Sequence, residues 1–184
     1  MARRWSWAIP LLLCASIAQA EVKDSTASGF TIENAREVPV DAATAWKALV
    51  EDVDRWWPKD HSWWGTESVF TIEPEAGGCL CERAADGSRE ALHLTVTHVD
   101  PGKLLRMTGG LGPLQGMGMH GALEWRLKEA DGKTTITLWY RAGGYTPDDL
   151  AKFAPVVDRV QAQQLGGLAD HLQAGAAKEP APQP

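Results

Sequence analysis

The sequence predicts an α+β domain in which a curved antiparallel sheet of about seven strands packs around a long C-terminal helix, with two short helices after the first strand. Between residues 69 and 141, six segments with β-type alternation are separated by Gly, Asp and Pro turn signals. Residues 155–173 then carry one apolar face at helical spacing. A sheet must bury one of its faces, and this helix is the element able to cover it.

The first 20 residues have the pattern of a secretory signal peptide. Arg3 and Arg4 precede a short apolar core, and Ala18-Gln19-Ala20 is a small-x-small cleavage site. We therefore expect export to the periplasm or the extracellular space, with a mature chain that begins at Glu21. No other segment approaches the ~20 apolar residues of a spanning helix, so we expect no integral membrane segment after the signal is removed.

The charge balance argues against two classes of partner. The chain has 18 basic and 24 acidic residues, and loss of the two leader arginines changes the net charge from −6 to −8. Because no basic run interrupts this acidic composition, nucleic acid and anionic lipid surfaces are poor partners. The length suits a single domain, which we place at residues 28–174, followed by a disordered Pro-rich tail at 175–184.

The N-terminal part of the domain predicts a strand followed by two helices. Residues 30–38 alternate as a strand, and Asp41 is placed to cap a helix that begins at Ala42. A second helical piece at 53–57 must stop near Pro58, because the residue before a proline disfavours the α region. The six later strands are predicted at 69–73, 78–83, 91–99, 104–109, 118–127 and 134–141.

Two unusual segments interrupt this pattern. Four of the nine tryptophans lie between residues 56 and 64. Their rings could staple a loop onto the core, form a lid with Asp60, His61 and Ser62 as its polar tip, or present a protein-binding patch. The glycine-rich residues 109–116 are either a loop at a cavity mouth or a plain hairpin connection.

The terminal helix has a start, a break and a polar residue on its apolar face. Thr146 and Pro147 predict a helix start, and Pro155 predicts a break between a short helix at 147–153 and a main helix at 155–173. Gln164 lies at the middle of the apolar stripe, where an unpaired amide costs ~1–3 kcal/mol. We therefore predict that Gln164 borders a hydrated or ligand-bearing cavity.

Several short motifs point to a known superfamily. They are Val40-Asp41-Ala42 before Trp46, the Trp56-Trp57-Pro58 loop, Gly77-Gly78 followed by Glu82, the turn Val99-Asp100-Pro101-Gly102-Lys103, Trp125, Tyr140 and Val157-Asp158. Over roughly residues 28–173 the chain resembles the helix-grip superfamily, also called START-like or SRPBCC, and within it the branch related to the activator of the heat-shock-protein-90 ATPase. The resemblance implies a helix-grip fold with a ligand cavity, in a superfamily that ranges from carriers to enzymes. The signal peptide argues against direct co-chaperone action.

The two mature cysteines, Cys79 and Cys81, lie two apart on a predicted strand. Such residues are ~6.5–7 Å apart, at the limit of a disulfide, so the spacing favours packed free thiols. A strained or intermolecular disulfide and metal or redox chemistry are the alternatives. No Cys-x-x-Cys or His-Glu-x-x-His set is present, and we expect no metal site.

The sequence contains no nucleophile elbow, phosphate loop or dinucleotide fingerprint, so we expect no cofactor and assign no catalytic residue. Of the histidines, His61 is the one to test as an acid or base, whereas His93 and His98 alternate with hydrophobic strand residues and are interpreted as structural or solvent-facing.

Three functions are compatible with these patterns. The first is an extracytoplasmic domain that binds a hydrophobic or aromatic small molecule in a cavity between the sheet and the closing helix. The second is a cyclase- or hydrolase-type enzyme that uses the same cavity, with His61, Glu82 or Tyr140 for acid–base work. The third is a protein-interaction module without a ligand. The expected ligand-binding residues are His61, Trp63, Trp64, Glu82, Met107, Trp125, Tyr140, Phe153, Val157 and Gln164.

Overall fold

The largest element of the computed structural model, which describes residues 19–177, is one antiparallel sheet of eight strands. The strands are β1 (Gln19–Thr26), β2 (Gly29–Val38), β3 (Val69–Ile72), β4 (Cys79–Arg83), β5 (Glu90–Asp100), β6 (Leu104–Gly109), β7 (His120–Ala130) and β8 (Lys133–Gly143). They lie in the order β1-β2-β8-β7-β6-β5-β4-β3. The predicted α+β class with a curved antiparallel sheet is confirmed.

The sheet has one strand more than expected, because β1 carries a weak strand pattern. It is an edge strand, and of its residues 21–26 only Val22 is not fully exposed. An edge strand that buries little lacks the alternation by which a sequence reveals a strand. β1 also includes Gln19 and Ala20, which end the predicted leader, whereas residues 1–18 lie outside the described residues.

Four α-helices accompany the sheet. They are α1 (Ala42–Glu51), α2 (Val53–Trp56), α3 (Pro113–Gly116) and α4 (Ala154–Ala176). Asp41 caps α1 as predicted, because its carboxylate accepts a hydrogen bond of 2.7 Å from the backbone N–H of Thr44.

The chain also breaks before α4 as predicted, since Pro155 lies in its first turn. The preceding piece is a 3-10 turn, Leu150–Lys152, and not the predicted helix at 147–153. Its cap is Asp149, not Thr146. α4 extends through Ala176 into the predicted tail, whose residues 178–184 lie outside the described residues.

The core lies between the sheet and α4. Ile32 and Leu138 on the sheet and Leu165 and Leu168 on α4 belong to one buried apolar cluster. Register shifts in β1, β4 and β5 mark β-bulges, which bend strands and so favour a sheet that curves around a helix. Packing alone does not set the position of α4, because Asn34 Nδ2 also donates a 3.0 Å hydrogen bond to Asp158 Oδ1.

Helices α2 and α4 cross with their backbones in contact. A Cβ at Gly167 would collide with the carbonyl oxygen of Trp56, so the crossing requires a glycine. The Trp56 ring donates from Nε1 to the carbonyl of Ala48 at 2.9 Å and meets Trp125 edge-on, with 5.7 Å between ring centroids. The end of α2 is thereby anchored in the core, directly before the tryptophan-rich loop at residues 57–63.

The two cysteines form a disulfide, so the prediction of packed free thiols is wrong. Their Cα atoms are 5.4 Å apart, within the usual range for a bridge. The distance is shorter than in a regular strand at the point where the pairing of β4 with β5 shifts register, between Leu80 and Cys81. The prediction assumed a regular strand.

Within residues 19–177, no helix is both long and apolar enough to cross a membrane.

Candidate functional site

A cavity of about 660 Å³ opens between the first half of α4 and three other segments. These segments are the tryptophan-rich loop at 57–63, the glycine-rich connection at 111–117, and His93 on β5. The wall residues are Trp57, Asp60, His61, Ser62, Trp63, His93, Leu111, Gly112, Pro113, Leu114, Met117, Phe153, Val156, Val157, Val160, Gln161 and Gln164. The size and the largely apolar wall are typical of a small-molecule pocket.

The tryptophan-rich loop has two parts with different roles. Trp57 is buried and stacks on Phe70, with 5.0 Å between ring centroids, so it fastens the loop to the core. Trp63 is 48% exposed at the cavity edge. The loop is therefore a staple at its start and a cavity border at its end. The predicted polar tip, Asp60 to Ser62, lies on the wall.

The glycine-rich connection is a cavity wall and not a plain hairpin turn. It contains α3, and Leu111, Leu114 and Met117 face the cavity. Tyr140 holds it in place: the Leu111 backbone N–H donates to Tyr140 Oη at 3.3 Å, and Oη donates to the Gly109 carbonyl at 3.2 Å. Burial raises the pKa of Tyr140 to about 12, although the hydrogen bond from Leu111 lowers it.

α4 contributes two glutamines to the wall. Gln164 borders the cavity at the position predicted from the helical pattern. Gln161, one turn earlier, is 0% exposed, and neither Oε1 nor Nε2 of its amide has a hydrogen-bond partner among the described residues. Burial of the Gln161 amide is therefore costly, because both of its polar atoms lack a hydrogen bond. The sequence predicted Gln164 as a cavity residue, but not Gln161.

All the buried, unpartnered side-chain polar atoms of residues 19–177 belong to wall residues. They are Trp57 Nε1, His61 Nδ1, His93 Nδ1, and Nε2 and Oε1 of Gln161. Each such atom costs ~1–3 kcal/mol when it is buried without a partner. The unpartnered polar groups of the described residues are therefore concentrated around this one cavity.

Glu82 and His93 form a buried pair behind the tryptophan-rich loop. Glu82 Oε2 lies 2.9 Å from His93 Nε2, and Glu82 Oε1 accepts a 2.9 Å hydrogen bond from the Trp63 backbone N–H. The two side chains are 0% and 3% exposed. Phe70 stacks on the His93 ring with 6.0 Å between centroids. Of the two alternatives given for His93, the structural one is therefore correct and the solvent-facing one is wrong.

A β-bulge explains why the sequence did not reveal this pair. Leu80 pairs with Leu94 and Cys81 with Leu92, so His93 is the extra residue between them on β5. The bulge changes which side chains share a face, and Glu82 and His93 come together. A regular hairpin register derived from the sequence does not contain this contact.

Five of the ten expected ligand-binding residues line the cavity, namely His61, Trp63, Phe153, Val157 and Gln164. Glu82 lies behind the wall and bonds to His93. The other four are elsewhere: Met107, Trp125 and Tyr140 are buried in the core, and the Trp64 ring packs under the Arg89 guanidinium at 5.6 Å. The alternation of a strand shows which of its side chains are buried, but not whether they border the cavity or the packed core. Met107, Trp125 and Tyr140 were therefore wrongly expected on the cavity wall.

The wall carries little formal charge. Asp60 is its one carboxylate, and none of the described wall residues is a lysine or an arginine. A bound carboxylate or phosphate would have only the imidazoles of His61 and His93 as basic partners in this cavity. Within residues 19–177, no three His, Cys, Asp or Glu side chains cluster closely enough to hold a metal ion.

Comparison with known proteins agrees with this architecture. Residues 29–173 match the profile of a family described as polyketide cyclase / dehydrase and lipid transport. CalU16 from Micromonospora echinospora superposes with a TM-score of 0.58 at 13% identity, over 90% of this chain and 87% of CalU16. Protein MLL2253 from Mesorhizobium loti gives 0.56 at 17% identity, over 78% and 97%. DynU16, from the dynemicin biosynthetic locus, gives 0.55 at 18% identity, over 79% of this chain and 48% of that one. No curated protein matches significantly.

The solved structures, at these identities, support the fold alone. The family profile covers most of the chain and nearly the whole described domain. It confirms the resemblance to the helix-grip SRPBCC superfamily, and the matching profile is that of cyclase-related proteins. The chain belongs to the polyketide cyclase / dehydrase and lipid transport family of the helix-grip SRPBCC superfamily.

Proposed function

We propose that this protein is an extracytoplasmic domain that binds a neutral, mainly apolar small molecule with one hydrogen-bonding end. The observation that carries the proposal is that the five buried, unpartnered polar atoms all belong to the wall of one cavity. A wholly apolar occupant would leave them unsatisfied, and an occupant with a polar end would complete some of them.

The composition of the wall defines the ligand further. Trp63, Leu111 and Phe153 offer apolar and aromatic contacts, which suit an aromatic or alicyclic body. Trp57 Nε1 can only donate a hydrogen bond, while the Gln161 amide can donate and accept. A hydroxyl or a carbonyl group fits these partners. The absence of arginine and lysine from the described wall residues argues against an anionic ligand.

Binding can be tested with a fluorescent probe before the natural ligand is known. N-phenyl-1-naphthylamine is neutral and aromatic, and its fluorescence increases in apolar surroundings. We expect saturable binding to the wild-type protein and loss of binding in Val160→Trp, which fills the cavity. Val69→Trp, the same change at an exposed strand residue, is the matched control and should bind normally. Equal binding by both variants would contradict the cavity as the binding site.

The extracytoplasmic location rests on the signal-peptide pattern of residues 1–20. Edman sequencing of the exported protein should begin at Glu21. Cleavage there would leave residues 21–26 of β1 to pair with β2. Recovery of the full-length chain from the cytoplasm would contradict the proposed location.

A further inference from the structure

We propose that Glu82 and His93 form an acid–base pair in which His93 takes a proton from a weakly acidic molecule held in the cavity. The inference rests on the proposed binding function, because the molecule must first enter the cavity. It adds an activity, proton abstraction, which ligand binding alone does not require. The substrates would be neutral, mainly aromatic compounds with a phenolic O–H or an acidic C–H group.

The Glu82 hydrogen bonds orient the imidazole. In the proposed pair Glu82 is the carboxylate, which can only accept hydrogen bonds, so His93 Nε2, 2.9 Å from Glu82 Oε2, is the donor. Nδ1 then holds the lone pair. Glu82 is itself held at its other oxygen by the Trp63 backbone N–H. This is the arrangement in which a carboxylate sets the tautomer of a basic histidine.

The surroundings of Nδ1 suit a base. His93 is a wall residue, and its Nδ1 is buried without a partner among the described residues. Phe70 stacks on the imidazole and Trp63 lies tilted beside it, each with 6.0 Å between ring centroids, so the imidazole has a defined orientation. The lone pair is kept from bulk water, and a molecule held in the cavity must displace a neighbouring wall side chain to reach Nδ1.

The proposed step is balanced within the cavity. The C–H or O–H bond of the bound molecule breaks, its electron pair stays on the molecule, and the proton forms a new bond to Nδ1. The resulting imidazolium lies against the Glu82 carboxylate, which stabilises its positive charge. The N–H groups of Trp57 and Gln161 are unpartnered donors on the same wall and can bond to the negative charge formed on the molecule.

Ring opening of 5-nitrobenzisoxazole tests this step with a neutral aromatic substrate. A base removes the single C–H proton of its isoxazole ring, the N–O bond breaks, and the coloured cyanophenolate product is followed by absorbance. We expect the wild-type protein to exceed an equal concentration of free imidazole, and His93→Ala to lose about a hundredfold of this rate. His98→Ala, an exposed histidine on the same strand, should keep the wild-type rate.

Glu82→Gln tests the positioning role of Glu82 and serves if His93→Ala does not fold. A glutamine amide can donate to Nε2, which would move the proton to Nδ1. We expect at least a tenfold loss of rate with unchanged N-phenyl-1-naphthylamine affinity, and NMR of the imidazole nitrogens should show the Nε2–H tautomer in the wild type and the Nδ1–H tautomer in the variant.

The outcomes separate the two proposals. If the wild type binds N-phenyl-1-naphthylamine but opens 5-nitrobenzisoxazole no faster than imidazole, the acid–base pair is refuted and the binding function stands. Equal rates in the His93→Ala and His98→Ala variants, or an Nδ1–H tautomer in the wild type, also refute the pair. If no N-phenyl-1-naphthylamine binds, both proposals fail.

Discussion

Replacing Gln161 by leucine tests whether the cavity is built for a polar group. The side chain is fully buried on α4, and both polar atoms of its amide lack a partner among the described residues. A packed core would favour leucine at this position, because leucine has a similar volume and no polar group to satisfy. We therefore expect the substitution to stabilise the protein and to weaken binding.

The structure sets the size of both effects. Removal of an unpaired buried amide recovers ~1–3 kcal/mol, while an imperfect fit of the new side chain beside Val157 and Val160 costs up to ~1.5 kcal/mol. The free energy of unfolding should accordingly rise by up to ~3 kcal/mol, and it should fall by no more than ~0.5 kcal/mol. Loss of one hydrogen bond to a ligand costs ~0.5–1.5 kcal/mol, which is roughly a twofold to tenfold loss of affinity.

Two measurements separate these effects. Urea denaturation gives the change in the free energy of unfolding. Displacement of N-phenyl-1-naphthylamine by 2-naphthol and by naphthalene compares two ligands of similar shape, only one of which has a hydroxyl group. In Gln161→Leu the affinity for 2-naphthol should fall, and the affinity for naphthalene should stay equal or rise.

Gln163→Leu is the matched control, because it makes the same chemical change on an exposed position of the same helix. Its unfolding free energy should change by less than ~0.5 kcal/mol, with no effect on either ligand. The reasoning is refuted if Gln161→Leu destabilises the protein by more than ~1 kcal/mol. It is equally refuted if both ligands lose affinity to the same extent. In either case the amide is a structural group and not a ligand contact.

Three further predictions follow from the fold. Thiol titration of the denatured, unreduced mature protein should find Cys79 and Cys81 both blocked, with two thiols after reduction; two free thiols before reduction would contradict the disulfide. Trp63→Ala should weaken N-phenyl-1-naphthylamine binding while lowering stability by less than ~1 kcal/mol, since the ring is 48% exposed, and a loss of ~3–5 kcal/mol would identify it as a core residue. The pKa of Tyr140 is raised from 10.0 to about 12 in the folded protein, so its protonated hydroxyl group stabilises the fold fully below pH 10. This stabilisation, roughly 3 kcal/mol of the free energy of unfolding, is lost as the pH rises through 12. The loss of stability at alkaline pH, measured by urea denaturation, should therefore shrink in Tyr140→Phe but persist in Tyr145→Phe, which removes an exposed hydroxyl group.

The elements that sequence predicted well depend on local interactions. Asp41 caps a helix because its side chain reaches an N–H three residues away, and Pro155 lies in the first turn of α4, where a residue without an N–H is tolerated. The strands from β2 to β8 alternate because one face of the sheet is buried over much of their length. β1 was not predicted, because an edge strand that buries little of its surface shows no clear alternation.

The site was only half predictable for a different reason. Gln164, Val157 and Phe153 were placed on the wall because a helix has a fixed period, and a polar residue within an apolar stripe stands out. The contact between His93 and Glu82 and the disulfide both occur where the pairing of β4 with β5 shifts register. Composition and residue spacing do not reveal such a shift.

The sequence by itself determined the order of elements, the long amphipathic helix, the superfamily and the acidic charge, because each of these follows from local patterns or from composition. Only the tertiary structure decided which buried residues face the cavity and which face solid core. Met107 and Tyr140 are as buried as Gln161, yet they lie over packed side chains, while Gln161 lies beside an open volume. Burial sets the pattern of a strand or helix, whereas a cavity depends on how far apart two packed elements stand, and that distance is a property of the whole fold.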